Sequence, residues 1–224
     1  FGGFRYPING SPLTNEGMQD MSLFLHYKND NQQRPLVTNI LKDNHYRKLY
    51  LAHIRTIVEE NFSNGWYRER ATAIRQMINE EVAKEPQRLY DMAAYEQNLS
   101  QSVKIDNSTI IGLTELMDAR AQQILAHPLM QKPAPTLDTP DVTVKGTDAT
   151  FTVSATEATD AYIYHRTSAF APWQRTTLNA SDGQWTATIP AATAQHYFVV
   201  AENKYIASCL PRRAGREYLE LVVK

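Results

Sequence analysis

Upstream of residue 130, apolar side chains recur with the period of an α-helix. In residues 44–62, NHYRKLYLAHIRTIVEENF, they follow one another at steps of three and four, so they share one helix face. Gly65 comes next and is typical of a left-handed helix cap. Residues 21–28 are compatible with either a strand or a single helical turn. The same periodicity predicts helices over 34–43, 44–62, 66–85, 88–100 and 107–127.

Downstream of residue 130 the apolar positions alternate instead, which is typical of half-buried strands. Turn-forming residues separate the alternating runs, and NASDG at 179–183 predicts a turn between two of them. About seven strands in roughly 90 residues are typical of an immunoglobulin-like or fibronectin-III-like sandwich, here without a disulfide. The runs that carry this pattern are 148–156, 161–166, 184–190, 195–203 and 217–224.

The two patterns meet at a proline-rich stretch, HPLMQKPAPTLDTPDV. Proline removes a backbone donor and restricts the residue before it, so a helix cannot continue through this stretch. We therefore predict a boundary at 131–135, with a helical domain over 1–132 and a β-domain over 133–224. Helices with short connections pack most simply as a bundle. The predicted fold class is α+β multidomain, with an all-α, bundle-like lobe followed by an all-β immunoglobulin/fibronectin-III-like sandwich.

Composition excludes several classes of partner. The 224-residue chain has a formal net charge of −1 and no cluster of basic residues, which argues against nucleic acid and against membrane-surface binding. No apolar run approaches the roughly 20 residues that span a bilayer. The single cysteine, Cys209, allows neither an intrachain disulfide nor a cysteine-based zinc site, and its apolar surroundings predict an inert buried thiol.

The motifs of common active sites are missing from the sequence. His45 and His53 lie eight residues apart, whereas a zincin needs histidines four apart with a glutamate between them. Adjacent glutamates at 59–60 and 80–81 diverge by about 100° around a helix, so they cannot act as a convergent acid–base pair. No G-x-S-x-G elbow occurs, and FGGF at residues 1–4 lacks the lysine of a phosphate-binding loop. The residues thus predict no catalytic, cofactor-binding or metal-binding site.

Aromatic residues of the second half leave one candidate ligand platform. Trp185 alternates with Ala187 and Ile189, which indicates a core position. Trp173, in SAFAPWQRT, lies in or beside a predicted loop, where its ring could stack on a sugar. Trp173 is therefore the candidate platform for a glycan.

One block, Pro35 to Pro86, is more specific than its periodicity. A leucine-rich segment over 36–41 is followed by an Asn/Asp break, Tyr46–Arg47, Tyr50, a long helix and the Gly65 turn. This order resembles the C-terminal helical part of the CotH-type spore-coat kinase family, an atypical protein-kinase-like fold. A later element, IIGLTELMDARAQQILAHP, resembles the family through Gly112–Leu113, Arg120 and His127–Pro128. A β-sandwich after that His-Pro is similar to modules appended to large secreted bacterial members.

The resemblance implies a secreted or cell-envelope bacterial protein whose full-length family uses ATP and a divalent cation. It also implies that the metal-holding aspartate precedes a Phe-Gly, here Phe1–Gly2, so no catalytic residue is carried over to this chain. The expected function is that of a non-catalytic scaffold and interaction module. A surface module that binds glycan or a protein partner is the alternative. An unrelated hydrolase with a site assembled in an interdomain cleft is a third hypothesis.

Overall fold

The computed structural model describes residues 13–25, 27 and 33–221, so the predicted role of Phe1–Gly2 lies outside the described residues. The chain divides into two compact units. The first contains the described residues of Phe1–Leu25 together with Ile57–His127. The second contains those of His26–Thr56 together with Pro128–Lys224. The units therefore do not follow one another along the chain, and the boundary at 131–135 stays a prediction.

The described helices agree closely with the periodicity. Proline occupies the beginning of the second helix, and a left-handed Gly65 (φ 83°), as predicted, precedes the fourth. A π-helical turn, Val58–Phe62, follows the third helix. The helices are α1 Asn15–Gln19, α2 Pro35–Lys42, α3 Asn44–Ile57, α4 Trp66–Lys84, α5 Met92–Gln97 and α6 Leu113–Leu125.

The prediction of an all-α bundle over 1–132 is wrong in two respects. The first unit contains an antiparallel hairpin, β1 Val103–Ile105 and β2 Ser108–Ile110, where a helix was predicted from residue 107. Asp106 turns the hairpin at a positive φ of 50°, and β-branched side chains favour the extended backbone on both sides. In addition, α2 and the α3 residues up to Thr56 belong to the second unit, together with the β-sheets.

The second unit contains two antiparallel sheets. Their strands are β3 Thr136–Leu137, β4 Asp141–Lys145, β5 Asp148–Thr156, β6 Asp160–Arg166, β7 Gln174–Thr177, β8 Asn179–Ser181, β9 Gln184–Pro190, β10 His196–Glu202, β11 Ala207–Leu210 and β12 Leu219–Glu220. One, the β10 sheet, has the order β11-β10-β6-β7, with β12 also paired to β10. The other, the β5 sheet, has the order β3-β5-β9-β8, with β4 also paired to β5.

Both sheets contribute to one hydrophobic core. Phe151 of β5, Ile163 of β6 and Val199 of β10 are fully buried in it, and Trp185 packs against it, as predicted for a core position. The predicted NASDG turn is a two-residue hairpin loop in which Asp182 and Gly183 both have positive φ, the geometry that such hairpins require. The α+β class is thus confirmed for the described residues, with antiparallel sheets in the second half.

The strand β10 is buried on both faces, which explains its nearly continuous apolar sequence. Tyr197 and Val199 point to the core shared with the β5 sheet, whereas Phe198 and Val200 belong to a second cluster on the outer face. Helix α3 covers part of that outer face, because Ala52 packs in the second cluster and Leu49 packs against it. A helix from the first third of the sequence therefore completes the packing of the β10 sheet.

Candidate functional site

Helix α3 docks on the β10 sheet through a buried polar network. The carboxylate of Asp43 begins the helix by accepting from the backbone amides of His45 (2.8 Å) and Tyr46 (3.2 Å). This cap places His45 on the first turn, where its side chain reaches the outer face of the sheet. His45 is 8% exposed and Glu202, at the end of β10, is 5% exposed. Buried polar groups of this kind must find partners or destabilise the fold.

Each polar group in this docking network has a partner. His45 Nδ1 lies 2.6 Å from Glu202 Oε2, and Lys48 Nζ lies 3.0 Å from Glu202 Oε1. The other ring nitrogen, His45 Nε2, lies 2.6 Å from the hydroxyl oxygen of Tyr164 on β6. The protonation state of the His45 ring sets whether Nε2 donates to the Tyr164 hydroxyl or accepts from it. One carboxylate, two basic side chains and a phenol thus join α3 to two strands.

The partners of Glu202 determine its ionisation. Burial raises the pKa of this carboxyl, but the hydrogen bonds and charges of His45 and Lys48 outweigh burial and hold the pKa below its ordinary value. Burial likewise raises the pKa of Tyr164, and the positive charge of Arg175 only partly opposes this rise. The network therefore contains an ionised carboxylate and a neutral phenol at neutral pH.

The second unit is expected to lose stability as the pH falls through the depressed pKa of Glu202. The unfolded chain binds this proton first, at the ordinary glutamate pKa of about 4.3, so the contribution is complete above that pH and disappears below it. Urea unfolding of wild type and Glu202→Gln between pH 6 and pH 3 measures this. The wild type is expected to lose more stability over that range than the variant. Equal losses of stability in the two proteins would contradict the role of ionised Glu202 in stabilising the second unit.

A group of charged and aromatic side chains lies on the same outer face of the β10 sheet. It consists of Arg166, Trp173, His196 and Tyr218, and we call it the Arg166 cluster. The Arg166 guanidinium carbon lies 4.1 Å from the ring centroid of Trp173 and 4.9 Å from that of Tyr218. His196, paired with Arg166 across β10 and β6, stacks on Tyr218 at 4.3 Å. Cation–π contacts, rather than hydrogen bonds, therefore hold this arginine.

Among the residues that the structure describes, two buried nitrogen atoms of the Arg166 cluster have no hydrogen-bond partner, Arg166 Nε and His196 Nδ1. Within the same residues, Arg166 also makes no ion pair. Leaving a buried donor unpaired costs about 1–3 kcal/mol.

A cavity of about 310 Å³ lies between α3 and strands β3 and β11. Its walls include Thr56, Leu137 and Cys209, with Arg55 and Arg212 at its polar side. Arg55 donates to the backbone oxygens of Met130 (2.6 Å) and Lys132 (3.3 Å), so it ties the chain after α6 to α3. Burial raises the pKa of the Cys209 thiol to about 12, which makes it the inert thiol that the sequence predicted.

The polar contacts of the first unit join helices to one another. The Tyr67 hydroxyl of α4 donates to Asp118 of α6 at 2.8 Å, and Arg68 pairs with the same carboxylate at 2.5 Å. Burial, assisted by Asp118, raises the pKa of Tyr67 to about 12. Arg120 of α6 donates to the backbone oxygens of Gln19 (3.0 Å) and Met21. These contacts stabilise helix packing.

The structure places the sequence-derived candidates as follows. Trp173 is half-buried, with its ring beside Phe198 (4.6 Å between centroids) and under Arg166, and its role as a platform stays a prediction. His165, which was not a sequence-derived candidate, hydrogen-bonds with the backbone oxygen of Thr193 and the hydroxyl of Thr176, so its role is structural. Among the described residues, no group of three or more His, Cys, Asp or Glu could hold a metal ion.

Sequence reasoning missed both clusters on the outer face. His45 and Glu202 are 157 residues apart, so no local spacing could connect them. The one available signal was the glutamate that ends the otherwise apolar strand QHYFVVAEN. Likewise, Arg166 ends the strand AYIYHR, where the alternation places it on the face of two tyrosines.

Comparison with known families identifies one matching segment. Residues 9–107 match the family model described as CotH kinase protein. The CotH resemblance is confirmed for this segment. The CotH segment contains α1 to α5, so His45 and Lys48 of the docking network belong to it, whereas Glu202 and Tyr164 do not. No curated protein matches the chain.

Solved structures give only weak similarity. A Br derivative of BhCBM56 is 11% identical, with a TM-score of 0.29, and the match covers 37% of this chain and 87% of that one. A carbohydrate-binding module family 56 β-1,3-glucan binding domain is 17% identical, with a TM-score of 0.27 and coverages of 33% and 90%. A family 64 laminaripentaose-producing β-1,3-glucanase from Paenibacillus barengoltzii is 20% identical, with a TM-score of 0.27 and coverages of 32% and 18%. With TM-scores this low, these similarities define neither the fold nor the ligand of this chain.

Among the residues that the structure describes, no helix is long and apolar enough to cross a membrane.

Proposed function

We propose that this chain is the C-terminal helical part of a CotH-like kinase fold joined to a β-module, and that it serves as a scaffold and interaction module. The observation that carries the proposal is the docking network. Helix α3 of the CotH segment is fixed to β6 and β10 by His45, Glu202 and Tyr164, which are buried or half-buried. A module held in this way keeps a fixed orientation on the helix that carries it.

The β-module is proposed to be of the immunoglobulin/fibronectin-III class. Its strand orders support this class, because a β3/β4-β5-β9-β8 sheet faces a β11/β12-β10-β6-β7 sheet across one core. Strands β7 and β8 are separated by Leu178 alone, so the chain passes from one sheet to the other there. This crossing is one that such sandwiches commonly use to distribute strands between sheets.

We further propose that this chain itself transfers no phosphoryl group, and that the full-length protein is a secreted or envelope protein of a bacterium. The CotH resemblance supports both points, because it implies that the groups which hold ATP and a divalent cation precede this segment. Phosphoryl transfer depends on such carboxylates and cations being placed together. Partners at the cell surface are therefore expected to bind the β-module.

Hydrogen exchange tests the scaffold proposal. If α3 is part of the β-module's folded body, amides of residues 44–56 and of β10 are expected to open with similar free energies. An isolated helix of this length would be marginal in water and would exchange rapidly. Rapid exchange of α3 beside a protected β10 would overturn the proposal.

Incubation of the chain with Mg²⁺ and [γ-³²P]ATP tests the non-catalytic part. We expect no label on the chain or on an added acceptor protein. A signal that requires Mg²⁺ would show catalysis and would leave the scaffold result unaffected.

A further inference from the structure

We propose that the Arg166 cluster binds an acidic oligosaccharide, a glycan whose sugars bear carboxylate or sulfate groups. The inference rests on the proposed interaction module and names its ligand. It starts from Arg166, which carries a full positive charge with no carboxylate partner within the described residues. A half-buried charge of this kind is stabilised when an anion binds to it.

The way in which Arg166 is held leaves its donors available. The Arg166 guanidinium carbon lies over the rings of Trp173 and Tyr218, 4.1 and 4.9 Å from their centroids. These cation–π contacts are electrostatic attractions to the ring faces and are not hydrogen bonds. The buried Nε of Arg166 has no hydrogen-bond partner among the described residues. A carboxylate or sulfate accepts two parallel bonds from such a group.

The surrounding rings favour a sugar over other anions. Trp173 and Tyr218 are half-buried, and with His196 and Phe198 they form a continuous aromatic surface. The negative face of an aromatic ring attracts the weakly positive C–H groups of a pyranose. An acidic peptide would use the arginine but has no general need for the rings. A cation set among aromatic rings is therefore best matched by a charged sugar.

Charge near the cluster supports an anionic ligand. Tyr218 ends the segment 211–218, PRRAGREY, which contains three arginines and one glutamate. The glutamate, Glu217, lies 3.4 Å from Arg213. This segment connects β11 to β12, and β12 pairs with β10 at His196, so it lies beside the Arg166 cluster. Basic residues at a binding face attract anions and increase the rate of association.

Calorimetric titration of the full chain tests the proposal. The probes are a hexameric oligogalacturonate, the same oligomer fully methyl-esterified, a chondroitin sulfate hexasaccharide and a hexaglutamate peptide. Two variants remove the proposed contacts, Arg166→Gln and Trp173→Ala. Arg70→Gln is the matched control, because it removes one arginine charge from an exposed position of α4. Circular dichroism and the melting temperature show whether each variant folds, and Arg166→Lys keeps the charge if the glutamine variant does not fold.

We expect oligogalacturonate, chondroitin sulfate or both to bind, and the ester to bind about tenfold more weakly or not at all. The carboxylate and sulfate probes distinguish the two sources of charge. Arg166→Gln and Trp173→Ala should each weaken binding about tenfold or more, whereas Arg70→Gln should bind as tightly as wild type.

Equal binding of acid and ester would contradict the claim that the ligand must be acidic, but the chain would still be a glycan-binding module. Binding of hexaglutamate alone would contradict the claim that the ligand is a glycan, but the chain would still be an interaction module. No binding by any probe would overturn this inference, whereas hydrogen exchange separately decides the scaffold proposal.

Discussion

Glu202→Ala is expected to lower the free energy of unfolding of the second unit by about 3–5 kcal/mol. The substitution leaves Lys48 and His45 at a buried interface without the carboxylate that both contact. It also removes the residue that joins the end of β10 to α3, so α3 should lose hydrogen-exchange protection before the sheets do. Urea unfolding followed by circular dichroism measures the loss of stability.

The matched control is Glu217→Ala, which removes a glutamate from an exposed pair with Arg213. Exposed pairs are worth about 0–1 kcal/mol, so this variant should resemble wild type. A double variant, His45→Ala with Glu202→Ala, should cost less than the sum of the two single changes, because each single change leaves an unpaired buried group. Additive losses, or a loss from Glu202→Ala no larger than that from Glu217→Ala, would show that the network does not hold α3.

Gly112→Ala is expected to destabilise the first unit by about 3 kcal/mol, the upper part of the range for overpacking. A methyl carbon at this position would lie 2.5 Å from the backbone nitrogen of Gln101 and 2.8 Å from the carbonyl carbons of Gln101 and Ser100. Backbone atoms cannot rotate away as a side chain can. The backbone amides of Leu113 and Thr114 also bond the oxygens of Asn98 and Leu99, so the two segments cannot separate without losing these bonds. The melting temperature and urea unfolding measure the effect.

Gly17→Ala provides the comparison within the same unit. Its new methyl carbon would lie 3.2 Å from Leu13 Cδ1 and 3.4 Å from the Thr14 hydroxyl oxygen, which are side-chain atoms. Alanine favours a helix by up to about 1 kcal/mol over glycine, so this change should be neutral or slightly stabilising. If both alanine variants had equal stability, backbone contact would not be what requires a glycine at position 112.

The regular elements were accessible from the sequence because their signals are local. Helix α3 and the left-handed Gly65 that precedes α4 follow from periodicity and one glycine, and β5 and β9 have the predicted bounds. The short elements were missed, namely β1 to β4, β7, β8 and β11, because two to five residues give too little alternation. The polar run QRTT of β7, for example, has no buried residue that would mark it as a strand.

The candidate site was less accessible, because it depends on which surfaces meet. The sequence predicts Trp173 as a ligand platform, but the arginine that lies over its ring comes from strand β6 and was not predicted. The sequence analysis divided the chain into two consecutive domains at the proline-rich stretch. That division could not predict that α3 docks on a sheet of the second half. His45 looked like an ordinary helical histidine, since its partners Tyr164 and Glu202 come 119 and 157 residues later.

The docking of α3 also determines when this protein can finish folding. During synthesis, His45 and the apolar side of its helix leave the ribosome long before β10, and the intervening chain contains the larger segment of the first unit, Ile57–His127. Contacts over such a separation form late because closing the chain between them costs entropy. Until Glu202 arrives, α3 has no sheet to cover, so this helix is the surface that a chaperone would protect in the unfinished protein.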